Sequence, residues 1–186
     1  MKPAALLLAA ALSAPPALLH AQPRDQRQDS VNSLLQALKQ VPNQAAAVPI
    51  EYQLRRLWLD DGSPAVGLLM KRGLRELQAG ENSQAIEDFG DAIVLDPKFA
   101  EAYHQRARAR YHDGDIAGAI VDLEAALQRQ PNDFTVLATL SNIAEAQGNW
   151  KGAFEAWQKV LQIDPMTAGG QDRLKQLKLK AFGEQT

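Results

Sequence analysis

The chain has 186 residues, enough for one domain of ordinary size, and its 20 Lys and Arg against 22 Asp and Glu leave a formal charge of −2. This near-balance excludes a strongly basic nucleic-acid-binding protein, and the absence of cysteine excludes disulfides, thiolate metal sites and cysteine nucleophiles. With 46% hydrophobic and 23% charged residues, the composition is typical of a folded protein.

Residues 1–21 have the three parts of a secretory signal peptide. Lys2 supplies a positive start, an Ala- and Leu-rich run follows, and Ala21 places a small residue before Gln22. The run is about half of the ~20 residues that span a bilayer. We therefore expect cleavage after Ala21, no membrane insertion afterwards, and a periplasmic or secreted location in a bacterium. The alternative is an uncleaved N-terminus that holds an accessory subunit at the membrane.

The next segment, 22–65, precedes the regular part of the sequence. Residues 22–29 are polar, and we expect them to be disordered. Within 30–65, two stripes of apolar residues have the spacing of one helix face, and an Asp-Gly-Ser-Pro turn follows them. We predict a pair of helices over 30–65 that caps the array behind it as a degenerate repeat.

A period of 34 residues organises the centre of the chain. Three kinds of residue recur at this interval: Pro97, Pro131 and Pro165; Gly80, Gly114 and Gly148; Ala85, Ala119 and Ala153. The glycines suit the ends of first helices, and the prolines stop second helices. The pattern predicts six helices, near 66–79, 83–95, 100–113, 117–129, 134–147 and 151–163.

This pattern resembles the tetratricopeptide repeat family, whose unit is a 34-residue helix–turn–helix. Glu76, Arg110 and Ala144 depart from it where the family has Tyr. The resemblance implies an all-α right-handed superhelix with repeats at 66–99, 100–133 and 134–167, closed by a capping helix within 168–186. The order of the segments also resembles a group of small exported bacterial repeat proteins.

The sequence lacks the motifs of common active sites, such as a Walker loop, a nucleotide-binding glycine fingerprint or a Gly-x-Ser-x-Gly elbow. His104 and His112 are not at the i, i+4 spacing of paired metal ligands. We therefore predict no catalytic residue, no metal and no cofactor. The alternative is an enzyme whose site has no recognised motif.

The resemblance implies that the first helix of each repeat lines a concave groove where extended peptides or partner helices bind. The inward-facing residues expected from it are Met70, Leu74, Leu77, His104, Arg108, Tyr111, Asn142 and Glu145. The carboxylate clamp of Lys, Asn and Arg known in the family is absent. We expect a scaffold or adaptor that binds a protein segment with an acidic or amide group beside a hydrophobic anchor. The alternative is that the N-terminal helices cover the apolar part of the groove and that Arg108 pairs with Glu101, Glu145 or solvent.

Overall fold

The computed structural model of the chain describes residues 23–60 and 62–183, so the predicted signal peptide lies outside the described residues. The described residues form α-helices and no strand. The helices are α1 (Pro23–Leu38), α2 (Gln44–Leu59), α3 (Pro64–Ala79), α4 (Asn82–Leu95), α5 (Ala100–Asp113), α6 (Ile116–Arg129), α7 (Phe134–Ala146), α8 (Trp150–Ile163) and α9 (Gly170–Phe182). No described helix is both long and apolar enough to cross a membrane.

The six central helices, α3 to α8, begin and end within two residues of the predicted bounds. Gly80 and Gly114 follow α3 and α5 in the left-handed conformation, at φ 81° and 89°. Because side chains with a Cβ adopt this conformation at a cost, glycine ends these helices at the same point of each repeat. The all-helical fold predicted from the 34-residue period is confirmed.

Each repeat pairs a first helix (α3, α5 or α7) with a second helix (α4, α6 or α8). Ala85, Ala119 and Ala153 are fully buried where the two backbones approach. At Gly73, an added Cβ would lie 2.8 Å from the Phe89 ring, so the ring packs where only a glycine leaves room. Small residues therefore set the distance between the paired helices.

The helix α9 packs on α8 and covers the end of the array. Leu177 is buried against the core of the third repeat, and the Trp157 indole N–H donates to the Gly170 carbonyl at 2.8 Å. This arrangement removes the last apolar face of the third repeat from water.

The N-terminal segment differs from the expectation in two respects. α1 begins at Pro23, so 23–29 is helical rather than disordered; the helix is held to its neighbour by Arg27, whose guanidinium donates to the Leu57 carbonyl at 3.3 Å. In addition, the pair α1–α2, hereafter the N-terminal hairpin, does not stack on the first repeat. α2 packs mainly against α1; within the repeats it contacts α5, and Trp58 joins the core of the third repeat.

Candidate functional site

The groove residues expected in the first repeat have different environments. Met70 is only 3% exposed and packs in the core with Val66 and Phe89, so its assignment to the groove is wrong. Leu74 and Leu77 are half-buried at the edge of the same core. Leu74 also lines a cavity under α2, whereas Leu77 lies one helical turn further along α3. The first repeat thus contributes a short apolar edge to the groove.

In the second repeat, His104 and Arg108 belong to a buried polar network between α5 and α7. Arg108 donates to the side-chain oxygen of Gln105 at 2.7 Å, and Gln105 donates to the Glu101 carboxylate. The other carboxylate oxygen of Glu101 lies 3.4 Å from His104 Nδ1. Arg108 therefore forms its hydrogen bond with Gln105, whereas the alternative considered from the sequence paired it with Glu101, Glu145 or solvent.

The second ring nitrogen of His104 also faces an acceptor. Nε2 lies 2.9 Å from the Thr139 hydroxyl, which itself donates to the Thr135 carbonyl at 3.0 Å. Since that hydroxyl proton is already used, its oxygen accepts from Nε2–H. With Glu101 at Nδ1 and Thr139 at Nε2, the geometry favours the imidazolium form of His104.

The pKa values around His104 follow from this arrangement. Burial alone would lower the pKa of His104, but the hydrogen bond and charge of Glu101, together with the charge of Asp133, raise it above its usual value. Burial likewise opposes the ionised form of Glu101, yet its bonds to His104 and Gln105 lower the pKa of that carboxyl. The burial of Asp133 outweighs the charge of His104 and the hydrogen bonds from Thr135, so the pKa of Asp133 is raised.

In the third repeat, the C-terminal helix occupies the expected groove residues. Arg173 on α9 donates to the Asn142 side-chain oxygen at 2.6 Å and to the Glu145 carboxylate at 3.0 Å. Its guanidinium also lies 4.4 Å above the Trp157 ring. Asn142 and Glu145 thus anchor α9 through Arg173, and their assignment to partner binding stays a prediction.

The N-terminal hairpin covers part of the concave side. Trp58 meets the Phe134 ring edge-on with centroids 5.3 Å apart, and the Arg55 guanidinium lies 5.4 Å above the same ring. Between α2 and the first helices of the three repeats is a cavity of about 290 Å³, lined by Arg55, Trp58, Leu59, Leu74, Glu101, His104, Gln105 and Thr135. The N-terminal helices therefore cover the groove near Leu74 and His104, as in the alternative considered from the sequence.

Six of the expected groove residues are at least partly exposed. Leu74 lines the cavity under α2, and Asn142 and Glu145 bind Arg173. The other three are Leu77, Arg108 and Tyr111. They lie towards the C-terminal ends of α3 and α5, beyond the part covered by α2. We refer to these three residues as the open end of the groove.

A second polar feature, an Arg–Asp ion pair between the two helices of a repeat, was not predicted from the sequence. Arg106 donates from Nε and Nη2 to the two carboxylate oxygens of Asp122, at 2.8 and 2.7 Å, and Arg72 binds Asp88 through the same atoms. Both aspartates are buried, although a solvated carboxylate is the ordinary expectation for Asp88 at a polar helix position. The sequence contains a signal for these ion pairs, because an Arg and an Asp recur together at the 34-residue interval.

The described residues contain no cluster of three or more His, Asp or Glu that could hold a metal ion. What the groove offers to a ligand is a guanidinium, a phenol and an apolar edge. Such groups bind protein segments by forked hydrogen bonds, stacking and burial.

Comparison with known proteins decides the family. The tetratricopeptide repeat model matches residues 70–134 and again residues 105–166, which together cover about half of the chain. The chain belongs to the tetratricopeptide repeat family. A TPR repeat-containing protein of Rhizobium etli is 29% identical over 156 residues, 84% of this chain and 76% of the relative. Human tetratricopeptide repeat protein 36 is 49% identical over 57 residues, 31% of this chain and 30% of that protein.

Solved tetratricopeptide repeat structures share the fold. The first TPR of Spaghetti (RPAP3), bound to the HSP90 peptide SRMEEVD, has a TM-score of 0.58 and 18% identity, covering 62% of this chain and 92% of that chain. MamA also has a TM-score of 0.58 and 18% identity, covering 85% of this chain and 84% of that chain. At this identity the likeness shows the fold alone.

Proposed function

We propose that this tetratricopeptide repeat protein is a non-enzymatic scaffold of the bacterial cell envelope that binds a protein segment at the open end of its groove. The observation that carries the proposal is the partly exposed set of Leu77, Arg108 and Tyr111 on the concave side. Peptide binding by a structurally similar domain, the first TPR of RPAP3 with its HSP90 peptide, supports the same use of the fold.

The partner's chemistry follows from the groups at the open end. Arg108 donates one hydrogen bond to Gln105, and its other N–H groups can donate to a carboxylate or an amide oxygen. Tyr111 provides a ring for stacking, and Leu77, at the equivalent position of the first repeat, provides an apolar contact. A segment with an acidic or amide side chain next to a hydrophobic anchor matches all three.

The test is co-purification of the tagged full-length protein from crosslinked bacteria. We expect the double variant Arg108→Glu with Tyr111→Ala to keep its helicity and lose the partner that wild type retains. The matched control carries the same changes at exposed positions, Arg75→Glu with Tyr52→Ala, and should retain it. Equal recovery of the partner by the groove variant and wild type would refute the site.

The proposed location rests on the signal-peptide pattern of residues 1–21. N-terminal sequencing of the protein from the envelope fraction should find Gln22 as the first residue. Retention of Met1 in the membrane fraction would instead favour a membrane-anchored accessory subunit.

A further inference from the structure

The N-terminal hairpin occupies the groove in the way that a bound helix would. α2 lies across the first helices of the repeats: it contacts α5, and Trp58 packs on Phe134 at the start of α7. A cavity separates the end of α2 from Leu74 of the first repeat. Only residues 60–63 connect α2 to α3. The hairpin is therefore tethered to the array by a short connection and docked on it by side-chain contacts.

The buried residues of α2 lie on one narrow face, which packs on α1 as well as on the array. Ala47, Leu54 and Trp58 are buried, and their spacing of seven and then four residues places them on one side of the helix. On the opposite side, Tyr52 is 58% exposed. This is the pattern by which an amphipathic helix from another protein enters a groove.

The fit of α2 to the groove is incomplete. The indole N–H of Trp58 is buried and has no hydrogen-bond partner, which is a cost that most buried donors avoid. Glu51 lies beside the Asp164 carboxylate; burial first and this negative charge second raise the pKa of Glu51. Such defects weaken the docking of α2 without preventing it.

From these observations, and resting on the proposed function, we propose that the groove is a receptor for an amphipathic helix and that α2 is its built-in competitor. The partner helix would reproduce the buried face of α2: a leucine, an aromatic residue four positions later, and a cation beside the leucine to lie over Phe134. Binding would displace the N-terminal hairpin and extend the site from the open end across the covered part of the groove.

The experiment uses a fluorescent synthetic peptide with the sequence of residues 44–60 and the full-length protein. In wild type the tethered α2 competes with the peptide, so affinity measured by anisotropy should be weak. The variant Trp58→Ala loses the anchor of its own hairpin, and we expect it to bind the wild-type peptide at least ten-fold more tightly. A peptide carrying the same Trp-to-Ala change should bind neither protein.

The control variant is Tyr52→Ala, which alters the exposed side of α2 and should behave as wild type. Equal peptide affinity of wild type and Trp58→Ala, with the helicity of both retained, would overturn the proposal. If Trp58→Ala unfolds, Arg55→Glu replaces it, because this change removes the cation over Phe134 from a largely exposed side chain. We expect a smaller gain of about three-fold, and no gain would count against the competitor.

This result is separable from that of the proposed function, since the probe is taken from the chain itself. Peptide binding together with unchanged partner recovery by the Arg108 and Tyr111 variant would remove the open end from the proposal and keep the helix receptor. Loss of the partner without peptide binding would keep the open end and remove the competitor.

Discussion

The second and third repeats fill the same positions with different chemistry. In the second repeat, Asp122 is 2% exposed and is bound by Arg106 and, at 3.0 Å, by Arg110. In the third repeat, the positions of Arg106 and Asp122 are taken by Leu140 and Ala156, and both helices pack at the same register. The two helices of a repeat therefore pair at the same register with either an ion pair or two apolar residues at these positions.

The first repeat lies between these extremes. Arg72 binds the buried Asp88, but the arginine side chain is 53% exposed, against 19% for Arg106. The energetic weight of the pair thus depends on how far the neighbouring repeat removes it from water. Four predictions test this comparison.

The largest effect is expected at a position where the repeats do not differ. Ala119 is fully buried between α5 and α6, as Ala85 and Ala153 are in their repeats. The change Ala119→Arg overpacks this contact and buries a charge, so we expect unfolding to become easier by more than about 3 kcal/mol. A melting temperature equal to that of wild type would contradict the assigned register.

The next effect comes from breaking the ion pair on one side. Asp122→Ala leaves Arg106 and Arg110 without their shared acceptor, and we expect a loss of about 3 kcal/mol in urea unfolding followed by circular dichroism. Asp88→Ala is the matched control, and it should cost less because Arg72 reaches water. Equal losses in the two variants would mean that exposure does not set the value of the pair.

A smaller effect should appear as a pH dependence of stability. Because the pKa of His104 is raised in the folded protein by Glu101 and Asp133, against burial and Arg108, its contribution is complete below its usual value near 6.5. It is lost as the pH rises through the folded-state pKa, with a slope of at most about 1.4 kcal/mol per pH unit. Unfolding measured between pH 6 and 9 should show this decline in wild type and not in His104→Gln.

The smallest effect is expected when the second repeat receives the chemistry of the third. Arg106→Leu combined with Asp122→Ala removes both members of the pair, and Arg110 keeps the Asp115 carboxylate and the Gly118 carbonyl as partners. We therefore expect stability within about 1 kcal/mol of wild type. The measurement is again urea unfolding, compared with Asp122→Ala alone. A double variant as unstable as the single one would show that the ion pair is required and not merely tolerated.

The central helices could be predicted closely because the 34-residue period marks every helix end with glycine or proline, a signal local to each repeat. The position of the N-terminal hairpin could not. The apolar stripe that contains Leu54 and Trp58 predicts a helix with one buried face, but the same stripe would fit against α3 or across the groove. That choice depends on contacts with Phe134, about 80 residues further along the chain, which no local pattern specifies.

The candidate site was predictable only in part for a related reason. Helical spacing placed Arg108 and Tyr111 on one side of α5, and they remain partly exposed. The same spacing placed Asn142 and Glu145 on one side of α7, but it could not show that Arg173 of α9 binds both side chains. Met70 was misplaced because small differences in helix rotation turn a side chain from the groove into the core.

Of the three tryptophans, one lies in α2 and two lie in α8, and none lies in α3 to α7. Trp58 lies against Phe134 in the N-terminal hairpin, whereas Trp150 lies under Lys180 and Trp157 under Arg173 at the junction with α9. Intrinsic tryptophan fluorescence therefore reports on the N-terminal hairpin and on the third repeat with α9, and the first two repeats carry no tryptophan. With Phe substituted for two tryptophans at a time, the emission maximum would follow the opening of either end separately, without an added label.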